Sequence, residues 1–278
     1  MSFKTVLSVI GVDEGDDDLF AASQLCQRAG AHLNVIVVAS VPPVPFDDLT
    51  GAAYSAWSVA WEEENKRVEA RTSELRALLS QKDMPGDVQP IYCLQGSIDD
   101  EIAERARYAD VSLIGSELIK DDFLFHRVLD GALFQSPGPV MLAPKGKPVD
   151  LAPKTVLLAW NSSLEAGKAA RHAMEMLIGA ESVHIVLVDP QATSDAMGQE
   201  PGADIATYLA RQGVKATVDV VASSGRETSD VLRQQAADIN ADLIVMGGYG
   251  HSRMREWIFG GVTKSMIENP PVPVLLAH

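Results

Sequence analysis

ADLIVMGGYGHSRMREWIFGGVTKS, residues 241–265, joins an apolar run to two glycine-rich turns that flank a basic stretch. The run Ala241–Val245 is short and continuous, which is typical of a strand covered on both faces of a parallel sheet. In such sheets ligands bind beyond the carboxyl ends of the strands, and Gly247 stands at that position. The segment therefore predicts a parallel α/β fold with a ligand site at the end of this strand.

The chain repeats itself once. Three segments of the first half recur in the same order in the second half: Lys4–Val9 as Lys154–Ala159, Ala109–Gly115 as Ala241–Gly247, and Pro137–Ala143 as Pro271–Ala277. Ordered pairs of this kind indicate two copies of one domain, which we place at residues 1–146 and 147–278. The joint, Pro144–Pro148, has the composition of a linker. The first copy is about eighteen residues longer, and we place this insertion in Val41–Trp61.

Each copy alternates continuous apolar runs with stretches of helical periodicity. In the second copy, small and apolar residues recur at helical spacing over Ala166–Leu177, and Ser162 or Ser163 is a suitable N-cap for that helix. Alternation with about five strands per copy predicts two tandem five-stranded parallel-sheet sandwiches. The apolar end strands, Val140–Ala143 and Val274–Ala277, have edges that favour pairing. We therefore expect a pseudo-dimer within the chain, with a homodimer as a further possibility.

The glycines around the basic stretch suggest a phosphate site. Gly247 and Gly250 can adopt positive φ and let the backbone approach a ligand. Gly260 and Gly261 stand where the last helix is expected to begin, and free N–H groups at a helix N-terminus bind anions. The stretch between them adds three basic side chains: His251, Arg253 and Arg255. Two turns without a ligand explain the glycines equally well, and neither a P-loop nor a dinucleotide-binding motif occurs.

The spacing Gly247-x2-Gly250-x9-Gly260, between the apolar run and Pro271–Leu275, resembles the universal stress protein family. The resemblance covers essentially the whole chain, closely in the second copy and mainly in the strands of the first. It implies the fold shared with adenine-nucleotide α-hydrolases, and adenine-nucleotide binding in a stress-response or regulatory role. In ATP-binding members, glycine N–H groups and a Ser or Thr hydroxyl hold the phosphates, and an Asp after the first strand contacts the nucleoside.

Carried onto this sequence, the resemblance implies ATP or AMP as ligand, with or without Mg²⁺. It assigns the binding to Asn161, Val188, Met246, Gly247, Gly250, His251, Arg253, Gly260, Gly261, Val262 and Thr263. Two positions depart from the family pattern: Gly261 replaces the Ser or Thr, and Asn161, after the bulky Trp160, replaces the Asp. An amide still forms hydrogen bonds, and a neutral bond contributes about 1 kcal/mol, so we expect weakened rather than abolished binding.

The first copy lacks most of this pattern. Gly115 follows its strand, but Leu118 occupies the second glycine position. Asp121 and Asp122 bring negative charge where the second copy has arginine, and this charge would repel a phosphate. We therefore expect one nucleotide per chain, bound by the second copy, with the first copy as a structural partner.

Composition restricts the classes of function. The 278 residues carry a formal net charge of −15, and an acidic surface disfavours nucleic acid as a partner. No apolar run is long enough to span a bilayer, and the N-terminal residues show no signal-peptide pattern, so we expect a cytoplasmic protein that does not bind membranes. Cys26 and Cys93 form no CxxC motif, and Cys93 is expected to be buried rather than reactive.

Two further segments have alternative interpretations. The acidic run Asp13–Asp18 could ligate magnesium, or, as is more common, cap and charge a helix that we expect over Leu19–Ala29. The aromatic residues of the insertion, Tyr54, Trp57 and Trp61, either pack a helix on the core or cover a cleft or an interface. The histidines show no zinc-binding spacing.

Three functions fit these observations. In the first, the protein is a non-enzymatic regulator, and ATP or AMP at the second copy alters a surface that an unidentified protein partner recognises. The alternative is an interaction module with a vestigial pocket. The third, a slow ATPase or nucleotidyl transferase, is disfavoured because the sequence offers no well-placed general base and no signature lysine.

Overall fold

The computed structural model describes residues 3–45, 51–190, 200–249 and 261–278. By contacts, the chain divides into two compact units, Phe3–Gly138 and Pro139–His278, which we call the first and second units. Each unit contains a mainly parallel sheet whose strands alternate with helices. The predicted α/β class with a parallel sheet in each copy is therefore confirmed.

The described residues of the first unit form four strands in the spatial order β3-β2-β1-β4, with the pairs β1–β2, β2–β3 and β1–β4 parallel. Its elements are β1 (Thr5–Gly11), α1 (Asp17–Ala29), β2 (His32–Val41), α2 (Ala52–Gln81), β3 (Gly86–Leu94), α3 (Ile98–Ala106), β4 (Val111–Ile114) and α4 (Asp122–Leu129).

Helix α2 runs for 30 residues, and the predicted insertion, Val41–Trp61, overlaps its start. Its aromatic side chains pack against the sheet: the indole N–H of Trp57 donates to the carbonyl of Pro42 at 2.8 Å, and the rings of Trp61 and Tyr92 lie 4.3 Å apart. Tyr54 remains 55% exposed. Of the two interpretations of these aromatic residues, Trp57 and Trp61 fit the packing of a helix on the core.

In the second unit, the part of the chain that the structure describes forms six strands in the order β5-β10-β9-β6-β7-β8, parallel except for the pair β5–β10. Its elements are β5 (Val140–Leu142), β6 (Thr155–Ala159), α5 (Leu164–His172), α6 (Met174–Gly179), β7 (Ser182–Val188), α7 (Ala203–Arg211), β8 (Ala216–Val221), α8 (Thr228–Asp238), β9 (Leu243–Gly247), α9 (Gly261–Glu268) and β10 (Val274–Ala277).

The fifth strand of the first copy lies in the sheet of the second unit. Strand β5 pairs antiparallel with β10, so that Val140 lies opposite Leu276 and Leu142 opposite Val274. Because of this pairing, residues 139–146 group by contacts with the second unit. Each sequence copy thus contributes five of the described strands, while the division of the copies at residue 146 stays a prediction.

A pair of aspartates explains why Ala-Asp and Lys-Thr recur together in the sequence. The carboxylate of Asp242 accepts the backbone N–H groups of Lys154 and Thr155, both at 3.0 Å. In the first unit, Asp110 accepts the N–H groups of Lys4 and Thr5, at 2.7 and 2.9 Å. Each aspartate therefore satisfies backbone donors at the start of its unit's central strand and fixes that strand beside its neighbour.

The inner strands of the second unit form its core. Val156, Leu157 and Leu158 of β6 are each 0% exposed, so side chains on both faces of this strand are covered. This burial is the physical reason for the continuous apolar run that predicted the strand. In the described parts of the chain, no helix combines the length and the apolar character needed to cross a membrane.

Candidate functional site

The carboxyl ends of β6 and β9 lie side by side in the second unit. Ala159 of β6 is the register partner of Met246 of β9, and strand order reverses at this point because β7 and β10 lie on opposite sides of the pair. Parallel sheets bind ligands at such a reversal, beyond the strand ends. Asn161 follows β6, and Gly247 is the last residue of β9. The structure thus brings two of the predicted ligand residues to the same edge.

Asn161 stabilises the turn that leads into helix α5. Its side-chain oxygen accepts the backbone N–H of Ser163 at 3.1 Å, and Ser162 adopts a φ of +60°. Ser163 then caps α5, because its hydroxyl accepts the N–H of Ala166 at 3.1 Å. The amide of Asn161 is exposed. With its oxygen engaged, the group that it offers to a ligand is the NH₂ donor.

Gly247 is required by packing against α5. A Cβ atom at this position would lie 2.5 Å from the backbone nitrogen of Ala166 and 2.7 Å from the carbonyl carbon of Glu165. Gly247 does not have the positive φ that the sequence had suggested for it. The glycine therefore lets the end of β9 lie directly against the first turn of α5.

The chain leaves β9 through a second anchored turn. Gly248 donates its N–H to the carbonyl of Ala277 at 2.9 Å. Tyr249, with a φ of +61° and a side chain 7% exposed, donates its N–H to the Thr263 hydroxyl at 3.4 Å. This bond joins the end of the β9 turn to the first turn of α9. The Thr263 hydroxyl has an internal role here, and its predicted contact with a phosphate stays a prediction.

The structure describes helix α9 over Gly261–Glu268, so a helix follows the two glycines, as the sequence predicted. Gly261 is exposed, and a Cβ atom added there would have no neighbour within 4 Å among the described residues. Val262 is half-buried, whereas Met246 is only 4% exposed, so Met246 offers a ligand its backbone rather than its side chain. Val188, half-buried, ends β7.

The remaining predicted ligand residues lie outside the described part of the chain: Gly250, His251, Arg253 and Gly260. The basic part of the proposed phosphate cradle therefore stays a prediction from the sequence.

Residues 153–278 match the model of the universal stress protein family. This segment belongs to the universal stress protein family. A universal stress protein of Synechocystis is 30% identical over 126 residues, which are 43% of this chain and 41% of that protein. The chain thus spans about two fifths of the length of this curated relative.

Two solved structures resemble the whole chain. One is a universal stress protein from Archaeoglobus fulgidus, with a TM-score of 0.63 and 18% identity, covering 98% of this chain and 95% of that one. The other is a putative universal stress protein from Pseudomonas aeruginosa, with a TM-score of 0.57 and 15% identity, covering 99% and 93%. At these identities the likeness shows the fold.

The first unit arranges the corresponding edge differently from the universal stress protein domain of the second. Asp18, in the first turn of α1, is 3% exposed, and its carboxylate accepts the N–H groups of Glu117 and Leu118, which follow β4. No local pattern indicated this contact, because Asp18 and Glu117 lie about a hundred positions apart. The feature of the sequence that could have indicated the contact is a pair of residues, Gly115 after β4 and Asp18 in the first turn of α1.

The acidic residues that we expected to repel a phosphate have structural roles or are exposed. Asp121 caps α4 by accepting the N–H of Leu124 at 3.0 Å, and the side chain of Asp122 is 92% exposed. In the acidic run before α1, Asp16 occupies the N-cap position, but its side chain pairs with Arg71 at 2.8 Å instead of capping. The expectation of an acid-capped helix is therefore wrong in detail, although α1 does begin with Asp17 and Asp18.

Glu14 is the titratable group most affected by this environment. Burial raises its pKa from the ordinary value of 4.5 to about 7, and the nearby Asp18, Asp121 and Glu117 act in the same direction. Both of its carboxylate oxygens are buried. Within residues 3–45, 51–190, 200–249 and 261–278, no three metal-ligating side chains come together as a metal site.

Both cysteines are buried, as expected for Cys93. Burial raises the pKa of the Cys26 thiol and of the Cys93 thiol to about 11. The reactive thiolate is therefore scarce at neutral pH, and neither cysteine has the environment of a nucleophile.

Proposed function

We propose that the second unit binds an adenine nucleotide, ATP or AMP, at the edge formed by β6, β9 and the start of α9. The observation that carries this proposal is the bond between Tyr249 and Thr263, which holds the end of the β9 turn beside the N-terminus of α9. Free N–H groups at a helix start attract phosphate oxygens. Membership of residues 153–278 in the universal stress protein family supports the same ligand class.

In this arrangement the ligand extends along the strand ends. The first N–H groups of α9, from Gly261 onward, would face the phosphates, together with the predicted contributions of Gly250, His251, Arg253 and Gly260. The Asn161 amide would donate to the nucleoside, and Val188 would contact it through its apolar side chain. Mg²⁺, where present, would accompany the phosphates and neutralise part of their charge.

The role that we propose is regulatory rather than catalytic. Nucleotide binding would change the surface around Gly247 and Gly261, and an unidentified protein partner would recognise the change. The alternative, an interaction module with a vestigial pocket, is favoured by one observation: Gly261 has no hydroxyl, and the Thr263 hydroxyl is already engaged with Tyr249.

Mass spectrometry of small molecules released from freshly purified protein distinguishes the two functions. We expect an adenine nucleotide in the released material and, by calorimetry with ATP, ADP and AMP, one site per chain. A folded protein that releases no nucleotide and binds none would favour the vestigial pocket.

Gly250→Asp is the variant that tests the location of the site. It adds negative charge to the predicted cradle, and charge-assisted bonds to phosphate contribute roughly 1.5–3 kcal/mol each, so binding should become undetectable. Leu118 is 0% exposed, so Leu118→Asp would bury a charge and disrupt the fold. Asp122→Asn, at an exposed position of the first unit, is the better control and should leave one site intact. Two equivalent sites, or binding that survives Gly250→Asp, would overturn the location.

A further inference from the structure

The loop after β4 of the first unit holds a carboxylate. The N–H of Glu117 lies 3.1 Å from both carboxylate oxygens of Asp18, and the N–H of Leu118 lies 3.1 Å from one of them. These donors belong to successive residues and converge on one anion, which is the arrangement of a backbone anion-binding nest. The carboxylate comes from the protein itself, from the first turn of α1.

Gly115 makes room for this carboxylate. A Cβ atom on Gly115 would lie 2.0 Å from Cγ of Asp18 and within 2.3 Å of both of its oxygens. No real Cβ contact is that short, so any other residue at position 115 would displace the Asp18 side chain. The glycine and the aspartate are therefore a matched pair.

In the described residues of the second unit, the same contact occurs without a carboxylate. There Gly247 lies against the first turn of α5, and its nearest neighbours are backbone atoms of Ala166 and Glu165 together with Cβ of Glu165. In both units, a glycine at the end of the copy's fourth strand thus contacts the first turn of a helix. This helix is the one that follows the copy's central strand. Among the described residues, only the first unit shows an acid of that turn whose carboxylate accepts the N–H groups of the loop.

We propose that residues 116–118 form an oxyanion-binding loop whose built-in ligand is the carboxylate of Asp18. The first unit is thereby closed to external carboxylates and phosphates, and removal of the Asp18 side chain opens the site to a small carboxylate. This inference does not depend on nucleotide binding by the second unit, because it concerns groups of the first unit alone.

The surroundings favour a small monoanion over a phosphate. Burial raises the pKa of Asp18, and the nearby Glu117 carboxylate raises it further. Hydrogen bonds from the N–H groups of Glu117, Leu118 and Ser116 lower this pKa. Glu14 is a further acid close to the same carboxylate. A dianionic phosphate would experience more repulsion than formate from these acids.

Formate rescue of Asp18→Gly tests the proposal. The variant removes the side chain and leaves room for formate beside the N–H groups of Glu117 and Leu118. Asp17→Gly is the matched control, since it makes the same change in the same helical turn at an exposed side chain. Both variants lose a similar amount of helix propensity, so a difference between them reports the buried carboxylate.

We expect the Asp18→Gly protein to have a lower melting temperature than the Asp17→Gly protein. Sodium formate should raise the melting temperature of Asp18→Gly by roughly 3–5 °C more than sodium chloride of equal ionic strength, as expected for millimolar-range binding to the folded state. Asp17→Gly should respond equally to the two salts. Equal melting temperatures for the two variants, or equal formate responses, would overturn the proposal.

A second measurement covers the case in which Asp18→Gly does not fold. Asp18→Asn keeps the shape of the side chain but places an NH₂ group where one carboxylate oxygen accepted an N–H. Amide hydrogen exchange at Glu117 and Leu118 should be slow in the wild-type protein and faster at one or both positions in Asp18→Asn. Unchanged protection at both amides would show that the carboxylate is not the ligand of this loop.

Discussion

Gly247 and Ala166 are in contact through backbone alone: a Cβ atom on Gly247 would lie 2.5 Å from the nitrogen of Ala166. This contact fixes the end of β9 against the helix that follows β6, and so sets the width of the edge at which we propose nucleotide binding. A glycine that the sequence associated with ligand approach is thus also required for packing between two elements of the protein.

Gly247→Ala should therefore destabilise the second unit. Overpacking of this kind costs about 1–3 kcal/mol, since the α5 backbone must move to accept the new methyl group. Chemical denaturation provides the measurement. Gly167→Ala is the control: it lies in α5, has open space around it, and should gain roughly 0.5–1 kcal/mol from helix propensity. A Gly247→Ala protein as stable as the wild type would contradict the contact.

Gly261→Ser should tighten nucleotide binding. The new hydroxyl would stand at the first described residue of α9, where the described part of the chain leaves space, and would add one hydrogen bond to a phosphate worth about 0.5–1.5 kcal/mol. Calorimetry with ATP measures the change. Gly261→Ala adds the Cβ without the hydroxyl and should not reproduce the gain. Unchanged or weaker affinity in folded Gly261→Ser protein would count against the phosphate position.

Glu14 should make stability fall as pH rises. Because burial raises its pKa from 4.5 to about 7, the folded protein binds a proton that the unfolded chain releases between these values. The stabilisation is complete below pH 4.5 and lost as pH rises through about 7, an effect of about 3 kcal/mol.

Glu14→Gln should remove this dependence, because the amide does not titrate. The free energy of unfolding, measured by denaturant titration between pH 5 and 8, should then change less with pH than in the wild type. Glu63→Gln, at an exposed position of α2, is the control and should keep the wild-type slope. Parallel pH profiles for wild type and Glu14→Gln would show that Glu14 titrates normally.

Cys26 and Cys93 should react slowly with thiol reagents. Burial raises both thiol pKa values to about 11, so at pH 8 the thiolate fraction is roughly a thousandth and access is restricted as well. A disulfide reagent followed by absorbance should label both residues only after denaturant is added. Rapid labelling of the folded protein would indicate an exposed cysteine.

The sequence predicted those parts of the fold that arise from local patterns. Continuous apolar runs identified β6 and β9, and Ser163 was one of two candidate caps for α5, the one whose hydroxyl accepts the N–H of Ala166. A helix was expected after Gly260 and Gly261, and α9 is described over Gly261–Glu268. Each of these features depends on residues within a few positions of one another.

The features that the sequence did not predict are contacts between distant residues. The Asp18 carboxylate reaches the loop after β4 only because β1 and β4 are neighbours in the sheet. The contact of Gly247 with Ala166 depends likewise on the pairing of β9 with β6. A pattern along the chain does not show which distant residues lie close together in space until the order of the strands is known.

The antiparallel pair β5–β10 has a consequence for the order of folding. Its two strands are separated by nearly half of the chain, so this pairing closes a very long loop. Loop closure costs entropy and slows the formation of non-local contacts. During synthesis, β5 is made well before β10. Its apolar side chains and its unpaired backbone edge therefore lack this partner while β6 to β9 are added. Chaperone binding to nascent chains should therefore be strongest over this interval.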